Sequence, residues 1–168
     1  MASVETKRVD PPHRGGDREM LTSFLDYQRE TVHVKCAGLS DEDARRALLP
    51  SEMTTVAGLV SHLRWVEAYW FDVVLGGAQD VAPYSDEDPD GEFRVALHLP
   101  LSLLLADYRA QCAASRAVVA RMDLDDESPA DRRGVSVRWA LVHMIEETAR
   151  HAGHLDILRE LLDGVTGE

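Results

Sequence analysis

One stretch near the C-terminal end of the chain carries four side chains that can bind a metal ion or move a proton. They are spaced by four, four and three residues: His143, Glu147, His151 and His154. Because a helix brings residues three or four apart onto one face, this spacing predicts a polar stripe on a single helix. Within the stripe, Glu147 and His151 would point a carboxylate and an imidazole in the same direction. For this helix taken alone, a solvated face stabilised by a Glu147–His151 pair is the simpler interpretation.

His62 adds a third candidate ligand from a separate segment. It lies on the flank of an apolar arc, about one turn from Leu59 and Val66, so we expect its imidazole to point toward a neighbouring helix. A buried histidine with a hydrogen-bond partner would fit the same position. Two imidazoles and one carboxylate nevertheless form the ligand set of open catalytic metal sites, which keep a coordination position for water or substrate. The residue types are therefore compatible with one divalent metal ion, but Glu-x-x-x-His pairs are common, so spacing alone does not identify the site.

Helices must position these residues, and the sequence contains suitable caps and breakers. Apolar residues at helical spacing predict four long helices, at 17–38, 54–77, 100–122 and 136–164. A short connecting helix is expected from Ser40 to Leu49, because Pro50 forces a break. The stretch 78–99 contains Pro83, Pro89 and many acidic residues, which predicts a long loop of the kind that often covers a site.

No segment shows the alternating pattern of a strand. The sequence therefore predicts an all-α fold, a four-helix bundle with a short extra connecting helix and one long crossover loop. Residues 1–16 carry two prolines and two glycines with few apolar side chains, so we expect a flexible N-terminal arm. Residues 17–168 are expected to form a single domain, and 123–134 a polar return between helices.

Composition narrows the class of protein. The chain has 168 residues, 45% of them hydrophobic, and a net charge of −12. Such a charge repels phosphate backbones, so nucleic acid is not expected as a partner. Because no long apolar run is present, neither a signal peptide nor a membrane span is expected, and the sequence predicts a cytoplasmic protein. Cys36 and Cys112 lack paired spacing and are expected to be small core residues.

Two stretches carry a family resemblance: GLVSHLRWVEAYWFDVVLGG and VRWALVHMIEETARHAGHLDILRELLDG. They resemble the DinB/YfiT superfamily of metalloenzymes, in particular its DUF664 branch, and are similar to the metal-binding bundle of mycothiol-dependent maleylpyruvate isomerases. The resemblance implies a four-helix bundle with a divalent metal ion at one end, bound by His62, Glu147 and His151. Many members have histidine at the position of Glu147, whereas those isomerases have glutamate.

The resemblance also implies an activity. We expect a divalent-metal-dependent thiol transferase or isomerase that uses a low-molecular-weight thiol such as mycothiol on an electrophilic small molecule. Zinc is the expected metal, and nickel or iron also suits the ligands. One alternative is a metal-assisted hydrolase. Another is a non-catalytic stress-response or binding bundle in which the metal only holds two helices together.

Further side chains have open roles at this stage. His154 stands where many relatives have glutamine, and is interpreted first as a hydrogen-bond partner of a ligand, then as a fourth ligand or an acid–base group. His143 would lie either in solvent or in a pocket, where it could also move protons. Trp65, Tyr69 and Trp70 are interpreted as core and interface aromatics. Because Trp65, Tyr69 and Phe71 lie off the centre of the core arc, the sequence predicts a homodimer.

Overall fold

The computed structural model describes residues 8–129 and 133–166. Within these ranges the chain is helical and forms no strand, so the predicted all-α fold is confirmed. The α-helices are α1 (Asp17–Cys36), α2 (Asp41–Ala44), α3 (Val56–Glu67), α4 (Gly91–Arg94), α5 (Leu101–Val119) and α6 (Val137–Asp163). A π-helix, Ala68–Leu75, continues α3, and a 3-10 helix, Val95–His98, follows α4. None of the described helices is both long enough and apolar enough to cross a membrane.

The helices that carry the candidate ligands begin and end at capping residues. The Thr55 hydroxyl accepts a hydrogen bond from the Gly58 amide at 3.0 Å, and the Ser136 hydroxyl accepts one from the Trp139 amide at 3.2 Å. Gly164 ends α6 in the left-handed region, with a φ of 74°, where a side chain would be strained. The predicted starts of both helices and the predicted end of α6 are therefore confirmed.

The four long helices pack as two main pairs, α1 against α6 and α3 against α5, and α3 also contacts α6. The contacts between α3 and α6 show that they run in opposite directions, because His62 meets Glu147 whereas the later Trp70 meets the earlier Trp139. A buried ion pair joins α1 to α3: the guanidinium of Arg29 donates to both oxygens of Glu67 at 2.7 Å.

Two cysteines lie in this core, as predicted. Cys36 and Cys112 are both buried and free. Burial raises the pKa of each thiol to about 12, so both stay protonated near neutral pH and are poor nucleophiles. Neither cysteine belongs to the candidate site.

The connecting helix is shorter than the sequence predicts. Ser40 caps it through the Asp43 amide at 3.0 Å, but α2 spans only Asp41–Ala44, so the prediction is wrong for 45–49. Arg45 donates instead to the Leu99 carbonyl at 2.8 Å, while Leu48 and Leu49 pack against the core. A residue that precedes proline is also biased away from helical backbone.

The stretch 78–99 is only partly a loop. It contains α4 and the 3-10 helix, so the prediction of one unbroken loop is wrong at its C-terminal end. Gly91 starts α4 where two backbone segments meet, because a Cβ atom there would lie 1.7 Å from the Pro83 carbonyl oxygen. Only glycine allows this approach. Arg94 then pairs with Asp88 at 3.0 Å and closes the turn.

The predicted N-terminal arm is described only from residue 8, and residues 1–7 lie outside the described residues. Its described part contacts α1: the Arg8 guanidinium donates to the Thr31 hydroxyl at 3.3 Å and lies 4.6 Å from the centre of the Tyr27 ring. The polar return at 123–134 is described except for 130–132, and residues 167–168 also lie outside the described residues.

Candidate metal centre

Side chains of α3 and α6 converge where these two helices pack against each other. The Glu147 Oε1 atom lies 3.3 Å from His62 Nε2 and 3.1 Å from His151 Nε2. One potential ligand atom from each of these residues lies within 4.8 Å of the others. Their side chains are 12% to 15% exposed, so the cluster is partly shielded yet open to small molecules. The structure thus brings together the three residues that the sequence nominates as metal ligands.

We call His62, Glu147 and His151 the trio. A carboxylate outside the trio orients His62. The Glu92 Oε1 atom lies 2.6 Å from His62 Nδ1, and a proton on Nδ1 would be donated to it. Nε2 then keeps its lone pair toward the trio, as in the carboxylate–histidine pairs that support metal ligands. Phe93 stacks on the His62 ring at 4.7 Å between ring centres. Both partners belong to α4, so this short helix holds the imidazole in place.

The trio also shifts the protonation of its members. Burial lowers the pKa of His62, but hydrogen bonds to Glu147 and Glu92 outweigh burial and raise it to about 9. Hydrogen bonds with His151 and His62 hold the pKa of Glu147 far below its usual range, against the opposing effect of burial. Without metal, His62 is therefore cationic at neutral pH and Glu147 is anionic. A metal ion must displace the proton of His62.

This competition predicts a pH dependence. Because the pKa of His62 rises from 6.5 in the unfolded chain to about 9 in the folded one, metal affinity should increase as pH rises through this interval. The stability of the metal-free protein should change in the opposite direction: the stabilisation due to charged His62 is present below the unfolded value and is lost as pH approaches the folded value. Chelator competition and thermal unfolding at stepped pH measure the two trends. An affinity that stays flat over this interval would contradict the assignment of His62.

Glu92 is the site residue that sequence reasoning missed. It lies 30 residues from His62 in the chain, in a segment crowded with acidic residues. No spacing relates the two residues, because α4 is brought to α3 by tertiary packing. The Ser61 hydroxyl donates to the Glu92 carbonyl at 2.5 Å, which fixes the backbone at this point. Ser61 is a polar residue next to His62, but nothing in the sequence indicates that it would bind the backbone of Glu92.

The role of α4 can be tested without changing a ligand. We expect Gly91→Ala to displace α4 from Pro83, move Glu92 away from His62 and lower metal affinity about tenfold, as loss of a ligand's supporting contact typically does. Gly153→Ala is the matched control, since no atom lies within 4 Å of a Cβ there, and it should raise stability by about 0.5–1 kcal/mol. Isothermal titration with zinc measures both variants. Equal affinities would show that α4 does not support the site.

His154 and His143 are separated by the structure. The Nδ1 atoms of His154 and His151 lie 3.2 Å apart. His154 therefore contacts the nitrogen of His151 that does not face Glu147. Burial, with His151 and Arg150 nearby, lowers the pKa of His154, so its imidazole is neutral near neutral pH and can accept a proton. His143 instead stacks on Trp139, with ring centres 5.1 Å apart, and meets Trp70 edge-on at 4.7 Å. His143 is not part of the trio.

The aromatic residues of α3 and the π-helix agree in part with the interpretation given above, because Tyr69 and Trp70 pack against the core. Phe71 is fully buried in the core. Trp65, Tyr69 and Trp70 are partly exposed and line a pocket beside Glu92. They are thus available to a ligand as well as to the core.

Comparisons with known proteins add a family and a fold. A family model described as Mycothiol-S-transferase matches residues 20–164. A crystal structure of a conserved protein from Enterococcus faecalis is similar with a TM-score of 0.71 and 17% identity, over 90% of this chain and 100% of that one. At this identity the likeness concerns the fold. The search of curated proteins gives no match.

Proposed function

Because the chain belongs to the mycothiol-S-transferase family, we propose that it is a metal-dependent transferase or isomerase that joins a low-molecular-weight thiol such as mycothiol to an electrophilic small molecule. The observation that carries the proposal is the convergence of His62 Nε2, Glu147 Oε1 and His151 Nε2. Three ligands leave a coordination position free for a reactant. A buried structural site would instead be closed by a fourth protein ligand.

The donor set fits one divalent ion. Imidazole and carboxylate ligands suit zinc best, and nickel or iron next. When bound, the ion would supply the positive charge that lowers a thiol pKa and so provides thiolate at neutral pH. Neighbouring residues orient two of the candidate ligands. Glu92 fixes the His62 ring, and the Arg150 guanidinium donates to Glu147 Oε2 at 3.3 Å. Arg150 leaves Glu147 Oε1 directed toward the two imidazoles.

His154 is our candidate for moving the thiol proton. It stands beside His151 and is partly exposed, and its lowered pKa keeps the imidazole unprotonated near neutral pH. It is therefore in the form that can act as a base toward the thiol and pass the proton to solvent. His143 is the weaker candidate, because its ring stacks on Trp139 and meets Trp70 edge-on, away from the three candidate ligands.

A direct assay distinguishes this function from its rivals. Zinc-loaded protein should consume mycothiol and an electrophile together, with a rate above the spontaneous reaction that disappears when the metal is removed. A hydrolase would consume the electrophile equally well without thiol. A metal that only staples α3 to α6 would bind with no change on adding thiol and give no turnover.

The homodimer stays a prediction, with a different surface to support it. Phe71 is buried and cannot contribute, but α6 exposes large apolar side chains: Trp139, Val142, Ile157 and Leu161, each about half exposed. Such exposure is common at interfaces between copies. Sedimentation at micromolar concentration should show a dimer, and a monomer there would refute the prediction.

A further inference from the structure

A pocket lined mainly by aromatic side chains includes Glu92, the hydrogen-bond partner of His62. It has a volume of about 290 Å³ and is lined by Trp65, Val66, Tyr69, Trp70, Ala82, Tyr84, Pro89 and Glu92. We call it the aromatic pocket. Its floor comes from α3 and the π-helix, and its rim comes from the segment that leads into α4. The volume exceeds the roughly 150 Å³ that holds a benzene ring in a protein core, so a substituted ring fits.

The aromatic pocket and the trio share one side chain. Glu92 lines the pocket and also lies 2.6 Å from His62 Nδ1. Val66 follows His62 by one helical turn on the same face of α3, so the pocket begins where the trio ends. Farther along, the Trp70 ring contacts His143 at 4.7 Å, one turn before Glu147. Glu92 and Val66 therefore connect the pocket with His62, and Trp70 connects it with the face of α6 that carries Glu147.

The lining favours one kind of guest. Tyr69 and Trp70 meet edge to face, with ring centres 5.3 Å apart, and aromatic faces of this sort favour a planar ring. Glu92 is the charged residue of the lining. When His62 binds a metal ion it is uncharged, so the carboxylate of Glu92 is no longer paired with a cationic imidazole and would repel an anionic ligand. The Arg64 guanidinium lies 3.8 Å from the Trp65 ring and that of Arg133 5.8 Å from the Trp70 ring, but neither residue lines the pocket.

We propose that the aromatic pocket holds the electrophilic substrate and that this substrate is an uncharged molecule with an aromatic ring. The inference rests on the proposed thiol transfer. With an activated aryl chloride, the thiol sulfur would form a bond to the ring carbon, and the carbon–chlorine bond would break. Chloride leaves with the electron pair, and the thiol proton passes to solvent. A dicarboxylic electrophile would bind more weakly because Glu92 would repel its carboxylates.

Binding can be measured separately from turnover. The chain has three tryptophans; Trp65 and Trp70 line the pocket, and the Trp139 ring lies 5.0 Å from that of Trp70. Neutral meta-dinitrobenzene should therefore quench tryptophan fluorescence saturably. In the zinc-loaded protein, dinitrobenzoate should bind about tenfold more weakly at neutral pH, because Glu92 would repel its carboxylate.

Variants locate the binding. Tyr69→Ala should weaken dinitrobenzene binding about fivefold, through loss of ring stacking, whereas Phe24→Ala removes an exposed aromatic on α1 and should not. Ala82→Lys adds a cation at the rim and should improve dinitrobenzoate binding several-fold, about as much as one partly exposed charge pair contributes. Ala113→Lys, on the exposed side of α5, is its control. Tyr69→Ala and Ala82→Lys each have their own control and expected result, so either variant alone tests the location of the binding site.

The possible results distinguish failure of the inferred ligand class from failure of the proposed thiol transfer. Non-saturable quenching, tighter binding of dinitrobenzoate, or equal behaviour of pocket and control variants would overturn the inference. Zinc-loaded protein should also conjugate mycothiol to chlorodinitrobenzene faster than to chlorodinitrobenzoate, and the reverse order would overturn the inference alone. If selective binding is found but no electrophile is conjugated, the pocket's ligand class stands and the proposed function fails.

Discussion

Replacing His62 or His151 with alanine is expected to remove most of the bound metal while leaving the helical content of the protein nearly unchanged. Each residue supplies one of only three ligand atoms in the trio, and loss even of a supporting contact commonly costs 10- to 100-fold in metal affinity. We therefore expect a loss of about 100-fold or more. The fold should persist because its core consists of apolar side chains away from the trio.

Metal analysis after dialysis and far-UV circular dichroism measure the two parts of this prediction. His143→Ala is the matched control on the same face of α6, because His143 contacts Trp70 and Trp139 instead of the trio. It should retain the metal of the unmodified protein. Unchanged metal content in both the His62 and His151 variants would refute the site assignment.

Glu147→Ala is expected to weaken metal binding strongly, whereas Glu147→His should retain it. Glu147 Oε1 lies between the two imidazoles, 3.3 Å and 3.1 Å from their Nε2 atoms, and an imidazole on the same helix face can take its place. The histidine variant makes the site more positive by one unit. A more positive centre acidifies a bound thiol more strongly but holds the thiolate more tightly, so thiol binding should begin at lower pH while turnover falls.

Metal titration and the pH profile of thiol binding test the Glu147 variants. The Arg150 guanidinium, which donates to Glu147 Oε2, would face an imidazole in Glu147→His, so Arg150→Ala should be combined with it as a second background. If Glu147→Ala kept the original metal affinity and thiol-dependent activity, Glu147 would be a helix-surface residue. The third ligand would then have to be sought at His154 or His143.

Local signals explain what the sequence predicts well. Thr55, Ser136 and Gly164 mark helix ends through side-chain caps or a left-handed backbone, and such signals depend on neighbours in the chain. Glu147 and His151 share a face because they are four residues apart. Spacing alone did not assign a role to His62, because a buried, hydrogen-bonded histidine would fit the same position. The family resemblance was needed to place it in one metal site with Glu147 and His151 of α6. The match to the mycothiol-S-transferase family confirms that resemblance.

Non-local packing explains what the sequence misses. The sequence places Phe71 off the centre of the core arc, but in the π-helix from Ala68 Phe71 is fully buried, together with Val74 and Leu75, while Trp70 is only partly buried. A π-helix has a wider turn than an α-helix, so the buried face moves along the sequence. Trp70 thereby turns to the aromatic pocket. Neither this shift nor the arrival of Glu92 beside His62 depends on residues near in the chain.

The most direct test of the account is to replace the metal with cobalt and titrate the protein with mycothiol, because cobalt reports its ligands by absorption. We predict a sulfur-to-cobalt charge-transfer band that saturates at about one thiol per protein with release of about one proton, and that is absent in His151→Ala. A cobalt protein whose spectrum does not change on adding thiol would contradict the claim that His62, Glu147 and His151 form an open site for thiol chemistry.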